Sequence, residues 1–441
     1  MKQNKVLFIG LVWPEPTSSA AGKRIIQLVE FFLNRGDQVI FSSAAAKSES
    51  SFDFSTLRGG TTSLSLRKTD SLSLGGGTSF TSLRGGTTKQ SQNLVTEFPI
   101  ELNSSSFNDF IQELQPDIVV YDRFVSEEQF GWRVREVCPN ALQILDTEDL
   151  HFLRAAREKA FKKSEEVDLY NETTYREIAS LLRCDLNWMI SEAEIDLLTN
   201  QFNLSKTLFQ YIPFLEEEIS TANFISYQDR KDFIFIGNFL HEPNWQTVLK
   251  LKKEIWPRIR KELPIAKLHI YGAYPTQKVW DLHNEKEGFL VHGKAENAKE
   301  VIAQARILLA PLPFGAGQKG KFIDAMQVGT PIATNSIGAE GMFDQEIPGI
   351  KSDDLEEFVQ KTIELYSDEI LWTKSQELGV KIHNEKFQKE TFYSNMEEQI
   401  QFLQANLEKH RQQNILGKTL QQTNHNALKY MSLWIEEKNK K

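Results

Sequence analysis

A loop of glycines and lysines is the stretch of this sequence best suited to chemistry. Its members are Gly315, Gly317, Lys319, Gly320 and Lys321. An apolar strand pattern precedes the loop and a helical pattern follows it. A helix N-terminus offers free N–H groups and a positive dipole end, glycine lets the backbone approach a phosphate closely, and lysine adds positive charge. The pattern therefore predicts an anion site. The alternative is an ordinary strand-to-helix turn with solvated lysines, and the spacing is not that of a Walker loop.

A second group of charged side chains follows two successive apolar strands, at the point where each strand ends. The group consists of Asp122, Arg123, Asp146, Glu148, Asp149 and His151. Ligand sites in open α/β sheets lie beyond the carboxyl ends of the strands, so these side chains should share one rim. A metal cluster needs a ligand geometry that this spacing does not establish, and we expect no metal. For His151 the alternative is a structural place near a helix start.

The glycine loop and the residues after it resemble the donor-nucleotide half of retaining family 4 glycosyltransferases, which have the GT-B fold. The resemblance is carried by Gly-Ala-Gly-x-Lys-Gly-Lys with Asp-Ala-Met at 315–326, a strand pattern at 330–335, and Gly338-Ala-Glu-Gly341. Members usually carry Glu-x7-Glu, and at that spacing this chain has Ala316 and Asp324. The resemblance implies a variant subgroup in which Asp324 binds the donor ribose, whereas Ala316 cannot act as the first Glu. It covers most of the chain and is weakest over 43–95.

The same resemblance implies roles for the remaining candidates. The implied donor-binding set is Gly22, Asn238, His241, Gly315, Gly317, Lys319, Gly320, Lys321 and Asp324. Gly22 is expected to face the donor diphosphate or the acceptor, unless it is only a helix-start glycine. His151 is expected to contact the transferred sugar. Lys319 is expected to be the main diphosphate ligand and a catalytic group, with Lys321 secondary, because the loop near Asn238 lacks the basic residues common in the family. The rim residues Asp122, Arg123, Asp146, Glu148 and Asp149 are acceptor-side candidates.

Apolar strands alternate with amphipathic helices along the chain, which predicts an α/β protein. At 441 residues the chain is long for one core. We therefore expect two doubly wound, Rossmann-like domains that face each other across a cleft. The predicted segments are an acceptor-side domain at 1–213, a hinge at 214–230, a nucleotide-sugar domain at 231–389, and C-terminal helices at 390–441 that pack back on the first domain.

Residues 46–93 form a low-complexity segment rich in Ser, Thr and Gly. The run Leu57-Arg-Gly-Gly-Thr-Thr62 recurs as Leu83-Arg-Gly-Gly-Thr-Thr88. Two copies are too few for a solenoid, and this composition buries little apolar surface. The segment is therefore predicted to be a repetitive insertion in the loop after the second strand.

Composition narrows the possible partners and location. A net charge of −9 argues against a general nucleic-acid binder. Two cysteines make no disulfide framework, so a reducing cytoplasm is expected. The sequence holds no apolar run near the ~20 residues of a membrane span, so any membrane contact must be peripheral, at the inner face. The amphipathic stretch 428–435 fits either a helix packed on the protein or one on a membrane surface.

The function that these observations favour is metal-independent, retaining glycosyl transfer. The donor would be a nucleotide-diphosphate sugar, which is a co-substrate, and no further cofactor is expected. The acceptor would be a glycan, a lipid-linked sugar or a small molecule. Two alternatives remain: a nucleotide-sugar epimerase of the same fold, and a catalytically silent scaffold or binding subunit, which the loss of the first Glu at Ala316 keeps open.

Overall fold

The computed structural model describes residues 3–57 and 95–440. Most of the predicted insertion at 46–93, with both copies of the repeat beyond Leu57, lies outside the described residues. The described part forms two separate parallel β-sheets, each flanked by helices.

The first sheet contains seven strands within the described residues, all paired in parallel. Its strands are β1 (Lys5–Gly10), β2 (Gln38–Ser43), β3 (Thr96–Pro99), β4 (Ile118–Asp122), β5 (Leu142–Asp146), β6 (Leu186–Met189) and β7 (Phe209–Tyr211). Its helices are α1 (Ala20–Asn34), α2 (Ser106–Leu114), α3 (Arg123–Val137), α4 (His151–Lys163), α5 (Glu172–Arg183) and α6 (Glu192–Asp196). The chain then passes from Tyr211 to the second sheet at Lys231.

In the part of the chain that the structure describes, the second sheet contains six parallel strands. They are β8 (Lys231–Ile236), β9 (Leu268–Tyr271), β10 (Phe289–Gly293), β11 (Ala305–Ala310), β12 (Ile332–Thr334) and β13 (Gly349–Lys351). The helices of this half are α7 (Glu242–Lys250), α8 (Trp256–Glu262), α9 (Gln277–Trp280), α10 (Ala298–Gln304), α11 (Gly320–Gln327), α12 (Ser336–Ala339) and α13 (Leu355–Ser367).

Both sheets are wound in the same way. The strand orders are β3-β2-β1-β4-β5-β6-β7 and β10-β9-β8-β11-β12-β13. In each sheet the chain starts at a central strand, runs to one edge, and returns to continue on the other side. The point where the order reverses lies between β1 and β4 in the first sheet, and between β8 and β11 in the second. Sites in such sheets form at this switch point. The predicted pair of doubly wound, Rossmann-like domains is confirmed.

The central strands are apolar along their whole length because helices cover both faces of each sheet. In β1, for example, Val6, Leu7, Phe8 and Ile9 are all fully buried. Alternate residues of the first sheet belong to different cores, with Phe8 on one face and Leu7 on the other. Buried, stiff strands of this kind fix the positions of the loops at their carboxyl ends.

The C-terminal helices are α14 (Glu369–Lys386), α15 (Lys389–Gln413) and α16 (Ile415–Asn439). Met396, Ile400 and Leu403 of α15 are buried in the core of the first domain. The predicted return of the C-terminal helices to the first domain is therefore confirmed. None of the helices in the described stretches combines the length and apolar character needed to cross a bilayer.

Candidate active site

The two switch points face each other, and the loops that leave them are in contact. The Asn238 side chain donates a hydrogen bond to the Ser18 carbonyl (3.1 Å), and a Cβ added at Gly320 would lie 3.0 Å from the Ala20 Cβ. The N-termini of α1 and α11 therefore abut. Free N–H groups of two helices and the loop between β11 and α11 converge on this region, which suits an anionic ligand.

The glycine loop is pressed against the first domain. Gly317 has a φ of +62°, and a Cβ there would lie 2.8 Å from the Asp149 Cβ, so only glycine allows both this backbone conformation and this approach. The Gly317 N–H donates to Glu194 Oε1 (2.7 Å). The Gly315 carbonyl accepts from Arg157 Nη1 (2.7 Å). The loop is thus positioned by contacts from the opposite domain.

Lys319 stabilises the glycine loop through hydrogen bonds to backbone carbonyls. Its ammonium group donates to the carbonyl of Gly317 (2.6 Å) and to that of Glu340 (3.0 Å). The residue is only 7% exposed, and burial lowers its pKa to about 8. Two backbone carbonyls therefore already use this ammonium group, as expected of a residue that stabilises the loop.

Lys321 lies differently, although it is only two residues further along. Its ammonium group donates to Asn244 Oδ1 (2.7 Å) and lies 4.4 Å from the centroid of the Phe235 ring. Burial, with Lys319 nearby, lowers the pKa of Lys321 to about 7. Lys321 thus reaches the first turn of α7, beside the loop after β8, which contains no Lys or Arg of its own. The pairing of Lys321 with Asp324 that their helical spacing allows is not formed.

Asp324 instead faces α1 of the first domain. Its Oδ1 lies 3.6 Å from the Lys23 ammonium group, which is only 2.6 Å from Glu216 Oε1. Burial raises the pKa of Asp324. The single lysine is shared unequally by two carboxylates, and Asp324 has the longer contact. Asp324 is therefore at the interface between the domains and is only weakly paired.

Gly22 and His241 lie at the starts of helices, and Asn238 has a local contact besides its hydrogen bond to Ser18. The Gly22 N–H donates to Ser19 Oγ (3.0 Å), which caps α1, and a Cβ at Gly22 would lie 2.6 Å from the backbone of Glu15. Gly22 therefore allows its own loop to fold closely over the helix. Asn238 accepts from the Leu240 N–H (2.8 Å), and His241 is exposed at the start of α7.

Two carboxylates of the acidic rim are paired with arginines. Asp146 is fully buried and accepts from Arg24 at 2.7 and 2.9 Å. Asp122 accepts two hydrogen bonds from Arg123, at 2.8 and 2.9 Å. These ion pairs neutralise most of the rim, so the acids are not collectively a strong negative site.

Glu148 is the exception. It has a φ of +62°, and its Oε1 is buried with no hydrogen-bond partner among the described residues. Burial, with Asp146 and Asp122 nearby, raises the pKa of Glu148 well above its usual range. A strained backbone and an unpartnered carboxyl group are features of functional sites. Glu148 is therefore a carboxyl group that is available to make a hydrogen bond.

His151 opens α4 at the same rim. Its Nε2 lies 3.5 Å from Asp149 Oδ1, and its ring meets that of Phe124 edge to face, with centroids 5.4 Å apart. Burial lowers the pKa of His151 to about 4, so the imidazole is neutral at pH 7. The contact with Asp149 places Nε2, rather than Nδ1, towards a carboxylate.

Three buried charged residues that support this rim were not identified from the sequence. Glu177 accepts from the N–H groups of His151 (3.1 Å) and Phe152 (2.8 Å). Glu194 accepts from that of Leu150 (3.3 Å). Arg24 fixes Asp146. Each contacts residues that are distant in the sequence. Within its own helix each resembles an ordinary exposed charge, so the local sequence does not identify it as part of the site.

A cavity of about 750 Å³ lies away from this site, at the amino ends of β1, β4 and β5, opposite the switch point. It is lined by residues such as Asn4, Asp117 and Asn140. Across residues 3–57 and 95–440, no three His, Cys, Asp or Glu side chains are grouped so that they could hold a metal ion.

Comparison with known proteins finds a family model that matches the second domain. Residues 230–368 match the family model described as glycosyl transferases group 1. The matched range runs from β8 to α13 and includes the glycine loop and Asp324. No curated protein matches the sequence significantly.

Solved structures match over most of the chain. A sucrose-phosphate synthase from Thermosynechococcus elongatus has a TM-score of 0.65 and 14% identity, over 92% of this chain and 100% of that one. Anabaena HepE, in complex with UDP and glucose, has a TM-score of 0.62 and 11% identity, over 91% and 100%. A mutant of S. aureus TarM, in complex with fondaparinux, alpha-GlcNAc-glycerol and UDP, has a TM-score of 0.54 and 13% identity, over 66% and 58%.

These identities are low, and the chain spans little more than half of the TarM length, so the likeness establishes the fold. The predicted GT-B fold is confirmed. Together, the fold and the matched domain support a glycosyltransferase, as predicted. The assignment to family 4 and to a variant subgroup stays a prediction.

Proposed function

For a chain of GT-B fold with a glycosyl transferases group 1 domain, we propose metal-independent, retaining transfer of a sugar from a nucleotide-diphosphate sugar. The acceptor is a glycan, a lipid-linked sugar or a small molecule. The observation that carries this proposal is the half-buried Lys321 beside the N-terminus of α11, whose ammonium group contacts Asn244 in the first turn of α7, at the second switch point. Two of the similar structures described above are complexes with UDP.

Lys321 supports the proposal because its charge is not neutralised within the site. The groups that act on its pKa include no carboxylate, and both burial and Lys319 disfavour the charged form. A buried ammonium without an acidic partner is costly, and an anion that binds beside it removes that cost. We therefore assign the main diphosphate contact to Lys321, and a loop-stabilising role to Lys319. The sequence alone favours the opposite order.

In the proposed reaction the bond between the sugar carbon and the diphosphate oxygen breaks as the acceptor oxygen attacks the same face. The leaving phosphate oxygen takes the proton of the acceptor hydroxyl. Negative charge grows on the diphosphate, and fixed positive groups stabilise it: Lys321, and the free N–H groups of α11. His151 contacts the sugar and Asp324 the ribose. On the acceptor side, Glu148 is the rim carboxyl free to bind a hydroxyl group. No glycosyl-enzyme nucleophile is required.

The proposal is tested by a thermal-shift screen of UDP-, GDP- and ADP-sugars, followed by incubation of the selected donor alone. A ligand at 100 times its Kd stabilises the folded protein by about 2.7 kcal/mol, which is a measurable rise in Tm. A transferase hydrolyses the donor only slowly until an acceptor is added. Isomerisation of the donor alone would identify an epimerase instead. Absence of both binding and turnover for every nucleotide sugar would favour the silent scaffold.

Asp324→Ala should weaken binding of the nucleotide sugar about tenfold to a hundredfold. A carboxylate that accepts from two ribose hydroxyls contributes about 1.5–3 kcal/mol. The measurement is donor affinity by calorimetry, with Tm recorded beside it. Lys23→Ala is the control that removes the partner of Asp324 and leaves its carboxylate in place, although it also removes the ion pair with Glu216. If Asp324 serves only to pair with Lys23, Asp324→Ala will lower Tm and donor affinity will not change.

Location and membrane contact remain predictions. Both cysteines, Cys138 and Cys184, are free and buried, which supports the proposal of a reducing, cytoplasmic setting. The end of α16 exposes Tyr430, Met431 and Trp434. Exposed aromatic and apolar side chains on one helix support peripheral contact with the inner face of a membrane.

A further inference from the structure

Glu194 is a buried carboxylate that contacts both domains. It is 1% exposed. Its Oε1 accepts from the N–H of Gly317 in the second domain (2.7 Å) and from that of Leu150 in the first (3.3 Å). One oxygen atom thus joins two loops that are far apart in sequence and belong to different sheets.

The second domain is shaped to receive the helix that carries Glu194. A Cβ at Gly341 would lie 2.5 Å from the Oγ of Ser191, the residue that precedes α6. Gly317 and Gly341 both have positive φ values, +62° and +72°. Glycine at these two positions lets the backbone of the second domain approach α6 closely. The contact of Glu194 with Gly317 is therefore part of a fitted interface.

The two ends of this link carry the groups that the proposed function uses. Gly317 lies in the loop that leads into α11 and Lys321, and Leu150 immediately precedes His151. We infer that Glu194 is a positioning residue that fixes the glycine loop of one domain against the His151 segment of the other. The effect of Glu194 on catalysis rests on the proposed transfer reaction. The contact between the two segments does not rest on it.

The link also responds to pH. Burial, with Asp149 nearby, raises the pKa of Glu194 to about 7. The other charged groups that act on it are Lys319, from the glycine loop, and Glu177, from α5. Glu194 Oε2 is buried without a hydrogen-bond partner in the described part of the chain. Because the pKa of Glu194 is higher in the closed contact than its ordinary value of 4.5, opening the contact to water favours loss of the proton, so the link should weaken as pH rises towards 7.

Hydrogen exchange measured by mass spectrometry tests the link without any ligand. Glu194→Ala should lower the protection of peptides around both Gly317 and Leu150, by about tenfold, because each amide loses its acceptor. Glu194→Gln keeps an oxygen acceptor and should retain most of this protection. In the wild type, protection at Gly317, corrected for the intrinsic rate, should fall between about pH 5 and 7. In Glu194→Gln it should not.

Glu177→Ala is the matched control, because Glu177 is equally buried but bonds only to amides of the first domain. Glu177→Ala should lower the protection of the His151 segment from hydrogen exchange and leave that of the Gly317 peptide unchanged. The inference is wrong if Glu194→Ala leaves Gly317 protected, or if wild-type protection there does not depend on pH. The pH series on the wild type decides the matter if Glu194→Ala does not fold.

The catalytic consequence is measured separately, with UDP-glucose or whichever nucleotide sugar the thermal-shift screen selects. Glu194→Ala should lower kcat about tenfold or more, and Glu194→Gln should recover most of it. If exchange shows the link and both variants turn over as the wild type does, the positioning role is wrong while the proposed function stands. If the wild type has no transferase activity but the exchange pattern holds, the proposed function fails and the link remains.

Discussion

Lys321→Met should lower kcat/KM for the nucleotide sugar by about 2–4 kcal/mol, or on the order of 30-fold to 1000-fold. Methionine fills similar space without charge, so the change removes the ammonium group from the diphosphate and little else. The charge on the leaving group is greatest in the transition state, so kcat should fall as well as donor affinity. Steady-state kinetics, with nucleoside-diphosphate affinity beside them, measure both effects.

The pH dependence of this effect follows from the lowered pKa of Lys321, which is about 7 in the free protein. The charged form is present below that pH and is lost as pH rises, so wild-type kcat/KM should decline above about pH 7. Lys321→Arg stays charged, because arginine does not lose its proton in this range. Its kcat/KM should therefore show no such decline up to pH 9, even if the larger side chain lowers the absolute rate.

Lys319→Met is the control for a nearby lysine with a different role. It leaves the carbonyls of Gly317 and Glu340 without their donor, so Tm should fall while the kinetic effect stays smaller than that of Lys321→Met. If Lys319→Met lowers kcat/KM more than Lys321→Met does, Lys319 makes the main diphosphate contact, as the sequence alone predicts. Unchanged nucleoside-diphosphate affinity in both variants would mean that the loop is only a turn.

The central strands were predictable from sequence because they are buried on both faces. Runs such as Val6–Ile9 and Phe233–Ile236 leave little alternative to a parallel sheet under helices. The short strands β3, β7 and β13 were not predicted. They have three or four residues each, and most of their side chains are only partly buried, so they form no continuous apolar run. They complete the sheets through backbone pairing, which side-chain patterns do not encode.

The candidate site was predictable to the extent that it depends on strand ends. Because parallel strands end at the same edge, the sequence brings Asp122 and Asp146 together, and they are neighbours in the sheet. The sequence did not reveal which acidic side chain pairs with which basic side chain. Arg24 pairs with Asp146 across 122 residues, and Lys23 faces Asp324 on the other domain. These contacts depend on how the domains pack, and they decide which groups remain available to a ligand.

His151→Ala should lower kcat about tenfold to a hundredfold while nucleoside-diphosphate affinity stays within about twofold. This corresponds to about 1–3 kcal/mol, the cost of losing one hydrogen bond at the reacting centre. The contact is expected to act mostly in the transition state, because His151 lies on the first domain, opposite the nucleotide loops. Kinetics at saturating donor and acceptor, with separate nucleotide binding, distinguish the two effects.

Two variants and a pH profile separate a chemical role of His151 from a structural one. His151→Asn keeps a side-chain acceptor near the position of Nδ1 and should recover part of the lost rate, whereas His151→Phe keeps the contact with Phe124 and should not. Because burial holds the pKa of His151 near 4, the ring is neutral throughout pH 5.5–8 and should add no acid limb to the rate in that range. Full activity of His151→Phe, or a fall in Tm that explains the lost rate of all three variants, would show that His151 serves only to pack the start of α4.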